Sequence, residues 1–229
     1  AVSGRPILRD TPSGSLTTVS SVRHIFVCEG YSERAYIKSL QAFLEKLPTA
    51  HGAWTVPLQF FTKDDYVAGN GSYGALEKCY LKAKKENRNS KVNIWADFDL
   101  YHRDDAGCSR RYAIKGMSLP DFHFSFHNFE DFLALHLDGE PLQTWLRFGR
   151  DGHFDSPQSS DDRFEWACSV FKGYRKGQLP LDFISAQSLR NLKVNLHRQP
   201  CSNPHGLQGI AFAEFIIGEI ERFHPDILR

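Results

Sequence analysis

The sequence lacks the long apolar runs and the cysteine patterns that would place a protein in a membrane or in an oxidising compartment. None of its apolar runs approaches about 18 residues, the length that spans a bilayer. Its N-terminus lacks the charged-then-apolar layout of a signal peptide. The five cysteines form no C-x-x-C pair, and their odd number disfavours a disulfide framework or a cysteine zinc site. These absences predict a cytoplasmic protein with reduced cysteines and no membrane partner.

Other absences exclude several enzyme classes. The chain has no G-x-x-x-x-G-K-[ST] segment for binding ATP through a P-loop, and no G-x-S-x-G nucleophile elbow. The formal net charge of +1 predicts neither a nucleic-acid nor a membrane partner by itself. A length of 229 residues allows one large domain, or one domain with an appended subdomain.

What the sequence does contain is acidic side chains where hydrophobic strands run out. The apolar run at 22–28 is followed by Glu29 and Gly30, and the run at 91–97 ends in Asp97-Phe98-Asp99. Such runs are typical of buried parallel strands, whose carboxyl ends form ligand sites in open α/β sheets. Three carboxylates there form a set of hard oxygen ligands that suits Mg²⁺ or Mn²⁺.

Both acidic motifs have alternative interpretations. Glu33, four residues after Glu29, is a further candidate metal ligand, or only a charge favoured by the helix dipole. A D-x-D pair also occurs in haloacid-dehalogenase-type phosphatases. There the pair lies on the first strand and is followed two residues later by Thr or Val. Here it lies on a later strand, and Tyr101 takes that place.

A third acidic strand end follows the predicted strand at about 121–127. We expect Glu130 to reach the metal or the substrate, and His127 and Asn128 to contact the substrate. Asp131 is a further candidate for the metal or the substrate, but we expect it instead to cap the helix and to be exposed to solvent.

Histidines near this strand allow other interpretations. A zinc site at His123 and His127 lacks a third ligand at suitable spacing. His136 lies on the apolar face of the predicted helix, which indicates a core or interface residue.

Basic residues cluster locally despite the low net charge. Lys172, Arg175 and Lys176 alternate with aromatic residues around two glycines, a composition that suits gripping a phosphate backbone. Arg103 follows the D-x-D pair closely and is a further candidate substrate contact. The alternative is a flexible surface loop and solvated helix faces.

The order of predicted elements indicates an α/β fold with helices on both sides of a mostly parallel sheet. We expect a mobile N-terminal arm at 1–21, an α/β core at 22–140 and a helical C-terminal region at 141–229 that packs on the core. Ser32 is expected to cap a helix reaching about Lys46, and Pro57 places the strand at 54–61 at a sheet edge. The other predicted helices follow Gly69–Ser72 and lie at about 128–137, 141–148, 161–171, 185–198 and 206–223.

Ordered blocks of the chain resemble the Toprim domain, and more closely the RloB-like family within that superfamily, which is related to OLD-type nucleases. The family's Glu-Gly-x-Thr-Glu-x-x-Tyr block resembles 29–36, with Ser32 in place of threonine, and its D-x-D matches Asp97 and Asp99. Its later Ser-Asn-Pro-x-Phe-Glu block resembles 125–130, where Phe126-His127 replaces Asn-Pro. Its Tyr-x-Lys-Gly stretch resembles 174–177, and the resemblance spans about 22–215.

This resemblance implies a Toprim-like, Mg²⁺- or Mn²⁺-dependent nuclease of DNA or RNA in anti-phage defence, often encoded beside an AAA- or ABC-type ATPase. Implied catalytic residues are Glu29, Asp97, Asp99 and Glu130, and implied metal ligands are Glu29, Glu33, Asp97 and Asp99. The rival hypothesis is a non-catalytic sensor or regulatory partner of such an ATPase. The sequence leaves the oligomeric state open.

Overall fold

A parallel sheet forms the centre of the protein. The computed structural model describes residues 21–48, 56–69, 72–97, 122–125, 128–150, 159–198 and 212–229. The strands in these residues are β1 Val22–Cys28, β2 Leu58–Phe61, β3 Lys91–Asp97 and β4 Phe122–Ser125. Their order is β2-β1-β3-β4, and every neighbouring pair is parallel. The predicted parallel α/β sheet is confirmed, as is the edge position of the strand that follows Pro57.

Helices cover both faces of this sheet. In the described residues the α-helices are α1 Tyr31–Glu45, α2 Tyr73–Glu86, α3 Phe129–Ala134, α4 Gly139–Arg150, α5 Ser159–Val170, α6 Ala186–Asn195 and α7 Phe212–Phe223. Short 3₁₀ turns lie at Asp64–Tyr66, Leu196–Arg198 and Pro225–Leu228. No helix in the described part of the chain combines the length and the apolar character needed to cross a membrane.

Alternate strand residues face two separate cores. Phe26 and Trp95 pack with α1 and the helices that follow β4, whereas Ile25, Val27 and Ile94 pack with α2 on the other face. Because both faces are covered, β1 is continuously apolar over 25–28 and β3 over 94–96, where an alternating pattern would place polar residues. The continuous runs in the sequence therefore have a direct structural cause.

The C-terminal helices share a core with the sheet. Trp145 of α4, Ala167 of α5, Leu189 of α6 and Phe212 of α7 belong to the same buried cluster as Trp95. The Phe212 and Trp95 rings are stacked, with centroids 3.5 Å apart and planes at 11°. This packing fixes the position of the C-terminal half relative to the strands.

Some predicted boundaries differ from the structure. β2 begins at Leu58 rather than in the mid-fifties, and the carbonyl of Pro57 accepts a hydrogen bond from Val22 N–H (2.8 Å) just before the strand. α3 ends at Ala134, three residues earlier than predicted. Most of the predicted N-terminal arm, at 1–20, lies outside the described residues, as do 206–211 of the last predicted helix.

Candidate active site at the carboxyl edge of the sheet

The first two acidic residues meet where β1 and β3 end. Cys28 pairs with Trp95 in the parallel register, and Glu29 N–H donates to the Trp95 carbonyl at 3.0 Å. Asp97 N–H in turn donates to Glu29 Oε2 at 2.8 Å. Both residues are partly exposed to solvent. The Glu29 carboxylate is therefore held against the Asp97 backbone at the carboxyl edge of the sheet.

Glu33 lies in the first turn of α1, and its carboxylate stabilises the start of that helix. Gly30 has an extended backbone (φ −133°), and its N–H donates to Glu33 Oε2 at 3.1 Å, the return half of a capping box. The predicted cap at Ser32 is wrong, because α1 begins at Tyr31 and Gly30 occupies the cap position. Glu33 is buried, and a Cβ at position 30 would lie 3.0 Å from Glu33 Oε2. The absence of a side chain at Gly30 therefore allows the Glu33 carboxylate to approach the backbone of the turn.

Glu130 is held by a tyrosine from a distant part of the chain. The Tyr174 hydroxyl donates to Glu130 Oε1 at 2.8 Å. Burial raises the pKa of Glu130 above its ordinary value, whereas the hydrogen bond from Tyr174 and the charge of Lys176 act to lower it. Burial also raises the pKa of Tyr174 strongly, as does the nearby Glu130 carboxylate. Tyr174 therefore remains a protonated donor.

The basic turn at 172–177 lies against the start of α1. Gly177 N–H donates to Ser32 Oγ at 3.0 Å, and Arg175 and Gln178 exchange backbone hydrogen bonds across the turn. Lys172, Arg175 and Lys176 are exposed, whereas Tyr174 is buried between them. The structure therefore places the predicted phosphate-binding cations next to the helix that follows Glu29.

Asn128 and Asp131 form a buried cap instead of a surface contact. Asp131 N–H donates to Asn128 Oδ1 at 3.2 Å, and Asn128 N–H returns a bond to Asp131 Oδ2 at 3.4 Å. The predicted capping by Asp131 is confirmed, but its predicted solvent exposure is wrong. The structure places Asn128, a predicted substrate contact, in this cap with only 3% of its surface exposed.

Partners from later helices explain the burial of Asp131. Trp145 Nε1–H donates to Asp131 Oδ1 at 3.0 Å, and Arg163 Nε lies 3.1 Å from Asp131 Oδ2. Burial raises the pKa of Asp131 to about 7, although the Arg163 charge and the Trp145 hydrogen bond oppose this rise. A buried carboxylate requires such compensation.

A glycine-rich segment at the same edge is not among the predicted site residues. The spacing Gly69-x-Gly71-x-x-Gly74 matches a dinucleotide-binding fingerprint, which requires a strand immediately before it. Here β2 ends at Phe61, and a 3₁₀ turn comes before the glycines. Gly69 N–H donates to the Glu29 carbonyl at 2.9 Å, which places this segment beside the first acid.

Other predicted site residues are not described by the structure. Asp99, Arg103 and His127 lie outside the described residues.

His123 is buried in β4, with Nε2 at 3.2 Å from Asn93 Oδ1. His136 is a core residue, as predicted, and accepts a hydrogen bond from the Tyr36 hydroxyl at 2.8 Å.

The chemistry of this edge has to be inferred from its own residues. No protein-family model, curated protein or solved structure matches the chain. Among the residues that the structure describes, no group of three or more His, Cys, Asp or Glu side chains is placed to hold a metal ion. The donor set of Glu29 and Asp97 nevertheless fits a hard divalent cation, since both offer carboxylate oxygens from rigid strand ends.

Proposed function

We propose that the protein is a metal-dependent phosphodiesterase that cleaves DNA or RNA. The observation that carries this proposal is the 2.8 Å hydrogen bond from the Asp97 backbone N–H to Glu29 Oε2, which holds the Glu29 carboxylate beside the Asp97 backbone at the carboxyl ends of neighbouring parallel strands. In open α/β sheets, this edge is where ligands bind. The 172–177 turn lies against the start of the helix that follows Glu29, and its exposed cations supply the complementary charge for a phosphate backbone.

The proposed metal ligands are Glu29, Asp97, Asp99 and Glu33. When bound, Mg²⁺ or Mn²⁺ would stabilise charge on the scissile phosphate and lower the pKa of the attacking water. Glu33 already stabilises the turn that follows Glu29 through its bond to Gly30 N–H. Replacing Glu33 would therefore disturb the backbone as well as the site.

The protein's own groups have separate tasks in this proposal. Glu130, whose pKa is raised by burial, is suited to hold or move a proton. Tyr174 fixes the Glu130 carboxylate through its hydroxyl. Lys172, Arg175 and Lys176 would hold the phosphate backbone of the substrate.

The resemblance of ordered blocks to the Toprim and RloB-like families supports the same function. The parallel sheet with acids at its carboxyl edge is the arrangement that this resemblance implies. A role in anti-phage defence, in the cytoplasm and beside a partner ATPase, is part of the proposal through that resemblance.

The test is a cleavage assay with plasmid DNA and with total tRNA, in Mg²⁺, Mn²⁺ or EDTA. We expect metal-dependent cleavage of one substrate and, for Asp97→Asn, a fall to the level of the EDTA lane with an unchanged melting curve. Asp226→Asn makes the same chemical change at a side chain that is 82% exposed on the terminal 3₁₀ turn, and it should cleave normally.

Two outcomes would contradict the proposal. Normal cleavage by Asp97→Asn would remove the metal assignment. Absence of cleavage by the unmodified protein in every lane would exclude a self-sufficient nuclease, and it would favour a sensor that acts with an ATPase.

A further inference from the structure

We propose that Tyr31 stacks on an unpaired nucleobase, so that the substrate is bound through a single-stranded segment. This inference rests on the proposed function in taking nucleic acid as the ligand, and it adds the strandedness of that ligand. Tyr31 is the first residue of α1, two positions after Glu29. Its side chain is 55% exposed, and it is the exposed large aromatic residue in the described part of the chain.

The backbone under Tyr31 is fixed by the basic turn. Gly177 approaches so closely that a Cβ there would lie 3.1 Å from Tyr31 Cβ. The neighbouring Ser32 hydroxyl accepts the Gly177 N–H. An aromatic side chain on a rigid base loses little entropy on binding, and this favours its use as a contact.

One side of the Tyr31 ring is close to a cation that is itself held in place. The Arg34 guanidinium carbon lies 5.8 Å from the Tyr31 ring centroid, and Arg34 forms an ion pair with Asp64. A ring with a cation near it and solvent over much of its surface resembles the aromatic–arginine pairs on which bases stack.

Positive charge lies on the turn beside the ring, where it is available to the phosphates of a nucleic-acid strand. Lys172, Arg175 and Lys176 are exposed on the turn that contacts Tyr31. Proteins that bind single strands combine such a cationic track for phosphates with an aromatic side chain for bases. In a duplex the bases are already stacked on one another, so an exposed ring of this kind selects unpaired nucleotides.

The test measures binding, not cleavage, and is done in EDTA. Fluorescence anisotropy would compare one labelled DNA strand, the RNA strand of the same sequence, the DNA duplex, and the DNA strand made abasic. We expect Tyr31→Ala to weaken binding of the intact single strand about tenfold or more, from the usual strength of base–aromatic stacking. Tyr31→Phe keeps the ring and should bind like the unmodified protein.

Two controls separate stacking from general damage. Leu81→Ala removes an apolar side chain that is 61% exposed on α2, across the sheet, and should not change binding. The abasic strand should bind the unmodified protein as weakly as the intact strand binds Tyr31→Ala, and it should lose nothing further with that variant. The DNA and RNA arms show which sugar the site accepts.

The results distinguish this inference from the proposed nuclease. Equal binding of the intact strand by the unmodified protein and Tyr31→Ala would overturn the inference, as would an equal loss for intact and abasic strands, tighter binding of the duplex, or no binding of any probe. Ring-dependent binding without cleavage in any metal would support it while contradicting the phosphodiesterase. Metal-dependent cleavage by the protein, together with normal binding by Tyr31→Ala, would support the phosphodiesterase and overturn the stacking inference.

Discussion

At the residue scale, two buried polar side chains, Asp131 and His136, have partners that come from other elements. Asp131 of α3 is compensated by Arg163 of α5 and by the Trp145 indole of α4. His136 accepts from Tyr36 of α1, while its Nδ1 lies 3.2 Å from the Phe132 carbonyl. Removing one member of such a pair leaves a buried polar group unsatisfied, which costs more than the bond itself contributes.

His136 should make the protein sensitive to acid. Burial lowers its pKa from 6.5 to about 4, so the unfolded chain binds a proton at a higher pH than the folded chain does. Its contribution to stability is complete above pH 6.5 and is lost as the pH falls towards 4. The unfolding free energy falls by roughly 3 kcal/mol over this range, since a difference of one pKa unit between the folded and unfolded chain corresponds to about 1.4 kcal/mol. Urea unfolding at a series of pH values would measure it.

The pH dependence of stability has to be compared between the protein and a His136 variant, because the contribution of Asp131 to stability changes with pH in the opposite direction. Its pKa is raised to about 7, so its contribution to stability increases as the pH falls over much of the same range. His136→Gln should be less stable at pH 7 but should lose less stability on acidification than the unmodified protein. His197→Gln, which removes an exposed imidazole, controls for the substitution. Parallel pH profiles for the protein and His136→Gln would contradict the assignment.

At the scale of elements, the basic turn depends on two glycines in left-handed conformations. Gly173 has φ +91° and Gly177 has φ +78°, but only at Gly177 would a Cβ meet a neighbour, at 3.1 Å from Tyr31 Cβ. Gly177→Ala should therefore combine backbone strain of about 1–2 kcal/mol with displacement of the turn from α1. Unfolding by urea and limited proteolysis at the turn would show both effects.

Gly173→Ala is the matched control for this prediction. It introduces the same methyl group at a similar φ angle, with nothing within 4 Å to meet it. It should lower the unfolding free energy through strain alone and leave proteolysis of the turn unchanged. Equal effects of the two alanines on both measurements would show that the contact with Tyr31 does not hold the turn.

The elements differ in how far the sequence predicts them. β1 and β3 are recognisable because their second halves, 25–28 and 94–96, are continuous apolar runs followed by an acidic residue, as expected of strands covered on both faces. The start of α1 is not recognisable from Ser32 alone, since Gly30 takes the cap position and Glu33 supplies the return bond. The local sequence allows either Gly30 or Ser32 as the cap residue, and the tight turn after β1 places Gly30 in that position.

The candidate site is predictable only in part, for a related reason. Glu29 and Asp97 could be placed together because parallel strands end at one edge of a sheet. The contact of Ser32 with Gly177 joins residues 145 positions apart, and the bond from Tyr174 to Glu130 spans 44 positions. The same holds for the burial of Asp131, whose partners lie on later helices. No local pattern encodes such pairs.

At the scale of the whole molecule, one core joins the strands to the C-terminal helices. Phe26 and Trp95 of the sheet are buried in the same cluster as Trp145, Leu189 and Phe212. The C-terminal helices therefore cover apolar surface that the sheet would otherwise expose to water. Separate unfolding of the two halves would expose that surface on both, at a cost proportional to its area.

This shared core predicts a single cooperative unfolding transition. Phe212 is fully buried and stacked on Trp95, so Phe212→Ala should destabilise the protein by about 3–5 kcal/mol. Far-UV circular dichroism and tryptophan fluorescence should give coincident transitions in both proteins, shifted together in the variant. The exposed-site variant Leu81→Ala should leave the midpoint in place. If Phe212→Ala instead moves the fluorescence transition and leaves much of the dichroism transition behind, the C-terminal helices unfold independently and the sheet is stable without them.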